Sequence, residues 1–371
     1  MMTQEAFSSI VLSRLPGLTQ SQALQAIRHY GSAEAALADR GAHDEKWREV
    51  LADEAGLRAS IERARREQDF CEEHGIRALA LSEPDYPSLL ALCEDAPAVL
   101  FYRGNANLNR THVVSVVGTR RITDYGRRLC RQLCRELSES LPDALVVSGL
   151  AYGVDIHAHR ASLECGLDTV GVLAHGLDRI YPAMHRETAA DMVRQGGLLT
   201  EYLTGTVPDK GNFVRRNRIV AGMSPVTIVV ESAAKGGALI TARLANSYGR
   251  DVMAYPGRVG DEFSAGCNHL IAHREALAIT SVDDLLRELN WESRQNVVGS
   301  EPQLFPPSEF SPEAQVILDA LRRHPDGLHQ NRIIELTNLD SHTVASNLAM
   351  LLVEGTVSRL QAAGMFALNR A

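Results

Sequence analysis

Two kinds of hydrophobic period divide the chain. In LSRLPGLTQSQALQAIRHYGS a Pro-Gly break precedes apolar residues at helical spacing, Leu24 and Ile27, and Gly31 stops the run. A helical pattern continues to about Gly75, so residues 1–75 are expected to form a helical module. Residues 76–110, with EPDYPSLLALCEDAPAVLFYRG, are punctuated by proline and end in a short strand, Val99–Arg103. Beyond them, wholly apolar runs alternate with amphipathic ones. THVVSVVG, ALVVSGL, TVGVLAHG, GLLTEY, PVTIVVES and DVMAYPG predict strands, separated by helices Tyr125–Leu137, Asp155–Glu164, Ala183–Gln195, Phe213–Gly222 and Ala238–Tyr248. Strands apolar on both faces belong in a parallel sheet covered by helices on both sides. Right-handed crossovers then give a doubly wound, Rossmann-like α/β core over residues 76–290.

The rest of the chain changes character again. Residues 291–311 hold three prolines and no period, and read as a linker. Residues 312–371 read helix, helix, helix and two short strands, the order of a winged helix. Its third helix, Ser341–Glu354, would enter a major groove, yet it carries no lysine or arginine. Contact with protein rather than duplex DNA is the expectation for that module. The N-terminal module is expected to be SAM-like or helix-hairpin-helix-like. Its LPG resembles a hairpin, but Thr19 stands where a second hairpin glycine belongs, and the module is acidic.

Composition narrows the class. A chain of 371 residues with 45% hydrophobic residues fits two or three ordinary globular domains. No apolar run approaches the ~20 residues that span a bilayer. No export signal is visible at the start, and the six cysteines are scattered, with Cys130 and Cys134 one helical turn apart, so a reducing cytoplasm is expected. The net charge of −8 speaks against nucleic acid only until it is mapped. Residues 1–110 carry 12 basic and 17 acidic side chains, residues 111–299 carry 21 of each, and residues 300–371 carry 5 and 8. The acid excess lies in the flanks, and two of the three lysines, Lys210 and Lys235, lie in middle-domain loops.

Ligands of doubly wound folds bind at the carboxyl ends of strands, so the loops there are the places to search. After the first strand come Gly118, Thr119 and Arg120, a small residue and a cation before a helix N-terminus that favours anions. After the second come Ser148 and Gly149. The strongest segment runs from Lys210 through Gly211, Asn212, Phe213, Arg215 and Arg216 to Arg218, with four cations and one aromatic in nine residues. Cations neutralise phosphates and an aromatic stacks on an unpaired base, so this composition suits single-stranded nucleic acid. Lys210, Phe213 and Arg216 are the expected contacts, whereas Asn217 and Arg218 could equally hold the helix to the sheet. After the fifth strand, Lys235, Gly236 and Gly237 open a helix that carries Thr241, a further anion site by the same physics.

Catalysis finds little support. Gly-x-Gly-x-x-Gly, Walker A and Gly-x-Ser-x-Gly signatures are absent, and no carboxylate pair stands out. His157 and His159 are two apart and point to different sides of a helix, so a structural role is expected and no metal or cofactor. Glu231 is read as ordering its loop rather than as a base.

VVGTRRITDYG, VSGLAYGVDIHAHRASL, NFVRRNRIVAGMS, VVESAAKGGALITARLANSYGRDVMAYPG and SAGCNHLI resemble, in order and spacing, the motifs of the DNA-processing protein A family (DprA, also called Smf). The resemblance covers about residues 85–285. It implies a Rossmann-like core that binds single-stranded DNA, protects DNA entering during natural transformation, loads the recombinase RecA and forms a homodimer. The missing catalytic signatures and apolar spans add the expectation of no enzymatic activity and no membrane attachment. The family's basic pocket falls on Arg120, Lys210, Phe213, Arg216 and neighbouring small residues. Its dimer edge falls near Asn268, Ile271 and Leu277. Two departures stand out. Val214 replaces the usual proline, which is expected to loosen the helix start, and Lys235-Gly236-Gly237 replaces a serine-containing loop. The alternative function is a nucleotide phosphoribohydrolase-like enzyme on a related fold, which would use a glycine-rich loop beside a glutamate such as Glu231. A third, a protein scaffold without ligand, fits poorly with cation-rich loops at strand ends.

Overall fold

The computed structural model describes residues 2–39, 45–291, 311–324, 327–353, 356–359 and 365–368 and divides into two units, residues 1–295 and 296–371. The first unit starts with helices α1 (Gln4–Arg14), α2 (Gln20–Tyr30), α3 (Ala33–Ala38), α4 (Glu45–Ala52) and α5 (Glu54–His74). Local chemistry sets their limits. Thr19 closes a capping box with Gln22, and Gly31 ends α2 in the left-handed region. Thr19, out of place in a hairpin motif, is therefore a helix cap. The helices bury Leu12, Ile27 and Trp47 among themselves, and Ile10, Ala64 and Cys71 against Phe101 of the sheet.

The sheet begins with β1 (Arg77–Ala80) and β2 (Val99–Gly104), which flank the short helix α6 (Ser88–Ala91) and pair antiparallel. The six apolar runs follow as β3 (Val113–Val117), β4 (Leu145–Ser148), β5 (Asp168–Val172), β6 (Gly196–Thr200), β7 (Val226–Val229) and β8 (Asp251–Ala254), and a two-residue strand, β9 (Leu277–Ala278), ends the series. Among the described residues the order is β1-β2-β6-β5-β4-β3-β7-β8-β9. All pairs from β6 to β9 are parallel, while β2 meets β6 antiparallel. The chain runs outward from β3 through β4 to β6, then returns to the other side of β3 with β7. The switch point of this doubly wound sheet lies between β3 and β7.

Helices α7 (Asp124–Ser140), α8 (Val154–Glu164), α9 (Arg186–Arg194), α10 (Lys210–Gly222), α11 (Ala238–Ser247), α12 (Ala265–Ala272) and α13 (Val282–Leu289) cover the sheet. Strand alternation sorts the core into two layers. Val113 and Val229 pack with Ile219 of α10 and Ala242 of α11, while Val114 and Ile228 pack with Leu133 of α7 and Leu285 of α13. Each such fully buried leucine or isoleucine contributes about 1.5–3 kcal/mol.

The second unit has its own core, with Ile317, Leu321, Ile333, Val344, Leu348 and Phe366. Its elements are α14 (Pro312–Arg322), β10 (Leu328–His329), α15 (Gln330–Thr337), α16 (Ser341–Val353), β11 (Val357–Arg359) and β12 (Met365–Leu368). The strands join in the order β10-β12-β11. Strand β10 was not anticipated. Glu354 and most of the expected linker, residues 292–310, lie outside the described residues. Among the described residues, no helix is long and apolar enough to cross a membrane.

Candidate nucleic-acid interface

Helix α10 starts earlier than its hydrophobic period indicates. Asp209 is extended, at φ −135°, and its carboxylate accepts a hydrogen bond from the Gly211 N–H at 2.7 Å. Lys210 is therefore the first helical residue, and Val214 lies inside the helix. The expectation that Val214 loosens the helix start is corrected, because the capping aspartate sets that start. Lys210, Phe213 and Val214 have the i, i+3, i+4 spacing of one helix face.

That face borders a cavity of about 520 Å³, lined by Arg120, Tyr181, Pro208, Asp209, Lys210, Phe213 and Val214. The Arg120 guanidinium lies over the Phe213 ring, 5.1 Å from its centroid. The Tyr181 ring stands 5.8 Å from Phe213, tilted by 53°. Arg120 and Lys210 are exposed and form no ion pair among the described residues. Two cations thus flank a pair of accessible aromatic rings. Tyr181 was missed in the sequence. Its signal was available, because GLDRIYPAMH follows a strand and is one more strand-end loop. The Tyr181 N–H donates to His175 Nε2 at 3.2 Å, which ties this loop down.

Arg216 is not where it was expected. It is 3% exposed, and its guanidinium donates to the carbonyls of Gly149 and Val172. A Cβ at Gly149 would collide with that guanidinium, so the glycine serves packing against arginine rather than approach of a ligand. Helix α10 turns Arg216 and Arg218 inward with Ile219 and Val220, and that rotation is the reason neither faces the cavity. Arg218 donates to Glu201 at 2.7 Å. Burial pulls the Arg216 pKa down, opposed by the carboxylate of Asp155. Burial likewise raises the Asp155 pKa, opposed by Arg216.

The loop after β4 is held from both sides. Leu150 adopts φ 52°, unusual for a branched side chain. Its N–H donates to His159 Nε2 at 3.3 Å, and its carbonyl accepts from His185 Nδ1 at 3.0 Å. His159 Nδ1 then donates to Thr169 Oγ1 at 2.7 Å. With Nε2 accepting, the imidazole is neutral, and burial lowers its pKa to about 3. His157 donates from Nδ1 to the Gly153 carbonyl at 2.9 Å. Both histidines hold loops, as read from their spacing, and among the described residues no group of three or more His, Cys, Asp or Glu is placed to hold a metal.

The remaining sequence candidates scatter. Gly118 and Thr119 are half-buried, with the Thr119 carbonyl accepting from Val154 at 3.1 Å and its N–H donating to Glu231 at 2.7 Å. The Glu231 carboxylate accepts from the Thr123 N–H at 2.9 Å and from its hydroxyl, so it orders the β3–α7 loop. Ser148 is buried and donates to Val116, and Thr241 is buried in α11. Lys235, Gly236 and Gly237 form the loop before α11 and line no part of the 520 Å³ cavity. Gly211 and Arg215 are exposed on α10, and the Asn212 carbonyl accepts from Tyr202. At the expected dimer edge, the Asn268 side chain is bonded to both backbone groups of Gly257, and Ile271 packs on the core. Leu277, on the outermost strand, is 47% exposed.

Comparison with known proteins adds independent findings. Residues 77–290 match the family model described as DNA recombination-mediator protein A. Protein Smf of Synechocystis is 34% identical over 325 residues, 78% of this chain and 80% of that protein. DNA processing protein DprA of Bacillus subtilis is 38% identical over 239 residues, 62% of this chain and 76% of that one. The X-ray structure of DNA processing protein A from Streptococcus pneumoniae aligns with a TM-score of 0.65 at 29% identity, covering 78% of this chain and 99% of that one. The Helicobacter pylori protein, whose structure was reported for a unique single-stranded DNA binding mode, aligns with a TM-score of 0.52 at 30% identity over 58% of this chain and 95% of its own. The match over residues 77–290 and the extent of these likenesses agree with the motif resemblance, and the chain belongs to the DNA recombination-mediator protein A family.

Proposed function

We propose that the cavity between α10 and the loops after β3 and β5 holds single-stranded DNA, with Arg120 and Lys210 on phosphates and Phe213 and Tyr181 against a base. One observation carries this reading: two exposed cations, without an ion pair among the described residues, border an accessible aromatic pair in a single cavity of about 520 Å³. Duplex DNA would not present a free base face to such a pair, whereas a single strand does. The Helicobacter pylori relative, reported for its single-stranded DNA binding mode, supports it. Arg215, exposed on the same helix, extends the cationic surface, and Gly211 leaves the backbone of the first turn open to a ligand. Lys235, Gly236 and Gly237 would add a more distant anion contact at the start of α11. Arg216, Ser148, Gly149 and Thr241 support the site from beneath, and Arg218 holds α10 to Glu201.

In the wider reading, the chain is a cytoplasmic, homodimeric mediator that protects incoming single strands during natural transformation and loads RecA. Residues 1–75 form a helical module, residues 76–290 the DNA-binding domain, residues 291–311 a linker and residues 312–371 a winged helix. Leu277, on the exposed sheet edge, is the side chain that best fits a dimer contact. Fluorescence anisotropy with matched single- and double-stranded oligonucleotides tests the central part. The expected result is tighter, salt-sensitive binding of the single strand. Equal affinity for both, or affinity indifferent to salt, would count against it. Co-purification of RecA with the chain in the presence of single-stranded DNA tests the partner.

A further inference from the structure

The helix that carries Lys210 and Phe213 has a second open side. A groove of about 910 Å³ lies between α1, α2 and the outer side of α10 and α11. Val214 lines both this groove and the smaller cavity, so the two adjoin at one apolar side chain. We propose that the groove is the next segment of the single-strand path and takes the nucleotides that follow the base held at Phe213. The inference rests on the function proposed above and deepens it.

Three features of the groove fit an unpaired strand. Arg14, at the end of α1, and Arg215, on α10, are exposed, form no ion pair among the described residues, and line the groove from two different elements. Such cations suit phosphates. Val214 and Ile240 stay 46% and 39% exposed, an apolar surface for base faces. The third feature lies at the floor. The Glu201 side chain is 3% and the Arg218 side chain 9% exposed, and they meet through Oε2 and Nη2 at 2.7 Å. Glu201 Oε1 and Arg218 Nη1 are buried and have no hydrogen-bond partner among the described residues. A buried acceptor and donor left unmatched are costly, so a complementary ligand edge gains by meeting them. Nucleobase edges carry donors and acceptors side by side, which distinguishes this ligand from a simple apolar chain. Glu94 and Asp95 border the same groove and disfavour phosphates there. The backbone is therefore assigned to the Arg14 and Arg215 walls and the bases to the floor.

The test uses the full-length chain, oligothymidines of about five and about twenty nucleotides, and anisotropy. Arg14→Glu combined with Arg215→Glu should weaken the long oligonucleotide at least about five-fold and the short one less than about two-fold. Lys210→Ala should weaken both. Both arginines are exposed, so folding should survive, as a thermal melt would verify. If reversal perturbs the melt, Arg14→Gln with Arg215→Gln replaces it. The neutral pair should flatten the salt dependence of the long oligonucleotide by about 0.7 log units per lost contact. If the groove variants leave the long oligonucleotide unchanged while Lys210→Ala weakens it, the groove is not on the path, and the cavity reading stands. If Lys210→Ala changes neither, the cavity reading itself falls.

Discussion

Lys210 and Arg216 sit on the same helix and have opposite tasks. Lys210 reaches solvent at the rim of the cavity, whereas Arg216 is sealed beneath it on two carbonyls. Removing Arg216 leaves the buried Asp155 carboxylate without its cation and two carbonyls unmatched, and breaking a buried charge pair from one side costs about 3–5 kcal/mol. Arg216→Met should therefore lower the unfolding free energy by about that much while leaving the salt dependence of DNA binding unchanged well below the melting temperature. Urea titration and anisotropy on the same preparation check both halves. His159 makes a pH prediction. Its imidazole is held neutral, with a pKa lowered from 6.5 to about 3. Between those values the unfolded chain takes up a proton that the native fold refuses. Stability from this group thus falls as pH falls through that window, by up to about 1.4 kcal/mol per pH unit. Denaturation of the wild type and His159→Gln should show a shallower acid loss in the variant. Equal slopes would contradict the assignment.

At the scale of elements, α10 organises the site: its cap fixes where the helix starts, and its buried face fixes which residues point outward. Asparagine caps as well as aspartate, and alanine does not. Asp209→Asn should keep the melting temperature near that of the wild type. By removing a carboxylate from the cavity wall, it should tighten DNA binding about two-fold, the size of a solvent-exposed charge effect. Asp209→Ala should cost about 1 kcal/mol of stability and weaken binding. Much of this architecture was legible in sequence. Runs such as VVSVV and VTIVV announce buried parallel strands, and the strand-end loops led to Arg120, Lys210 and Phe213. Three things were not legible, each for a physical reason. RALA, as β1, is too short to show a period. The inward turn of Arg216 follows from the packing of Ile219 and Val220 on the sheet, and nothing in a run of four cations marks which of them that packing carries inside. Tyr181 lies far from Lys210 in sequence, and only the β5 crossover brings the two to one cavity.

For the whole molecule, the distribution of charge matters more than its sum. The net charge of −8 comes from the flanks, while the middle of the chain is neutral and presents its cations at strand ends. The second unit fits this division, since α16 carries no lysine or arginine. At the far edge of the sheet, Leu277 stays 47% exposed on the outermost strand. Leu277→Asp should shift the chain toward monomer in analytical ultracentrifugation, and a wild type already monomeric would sink the dimer. The most direct measurement of the central claim is the salt dependence of single-stranded DNA binding in the wild type, Arg120→Ala and Lys210→Ala. Each substitution should flatten the log–log slope by about 0.7, the signature of one lost phosphate contact. Slopes and affinities unchanged in both variants would contradict the assignment of this cavity to DNA.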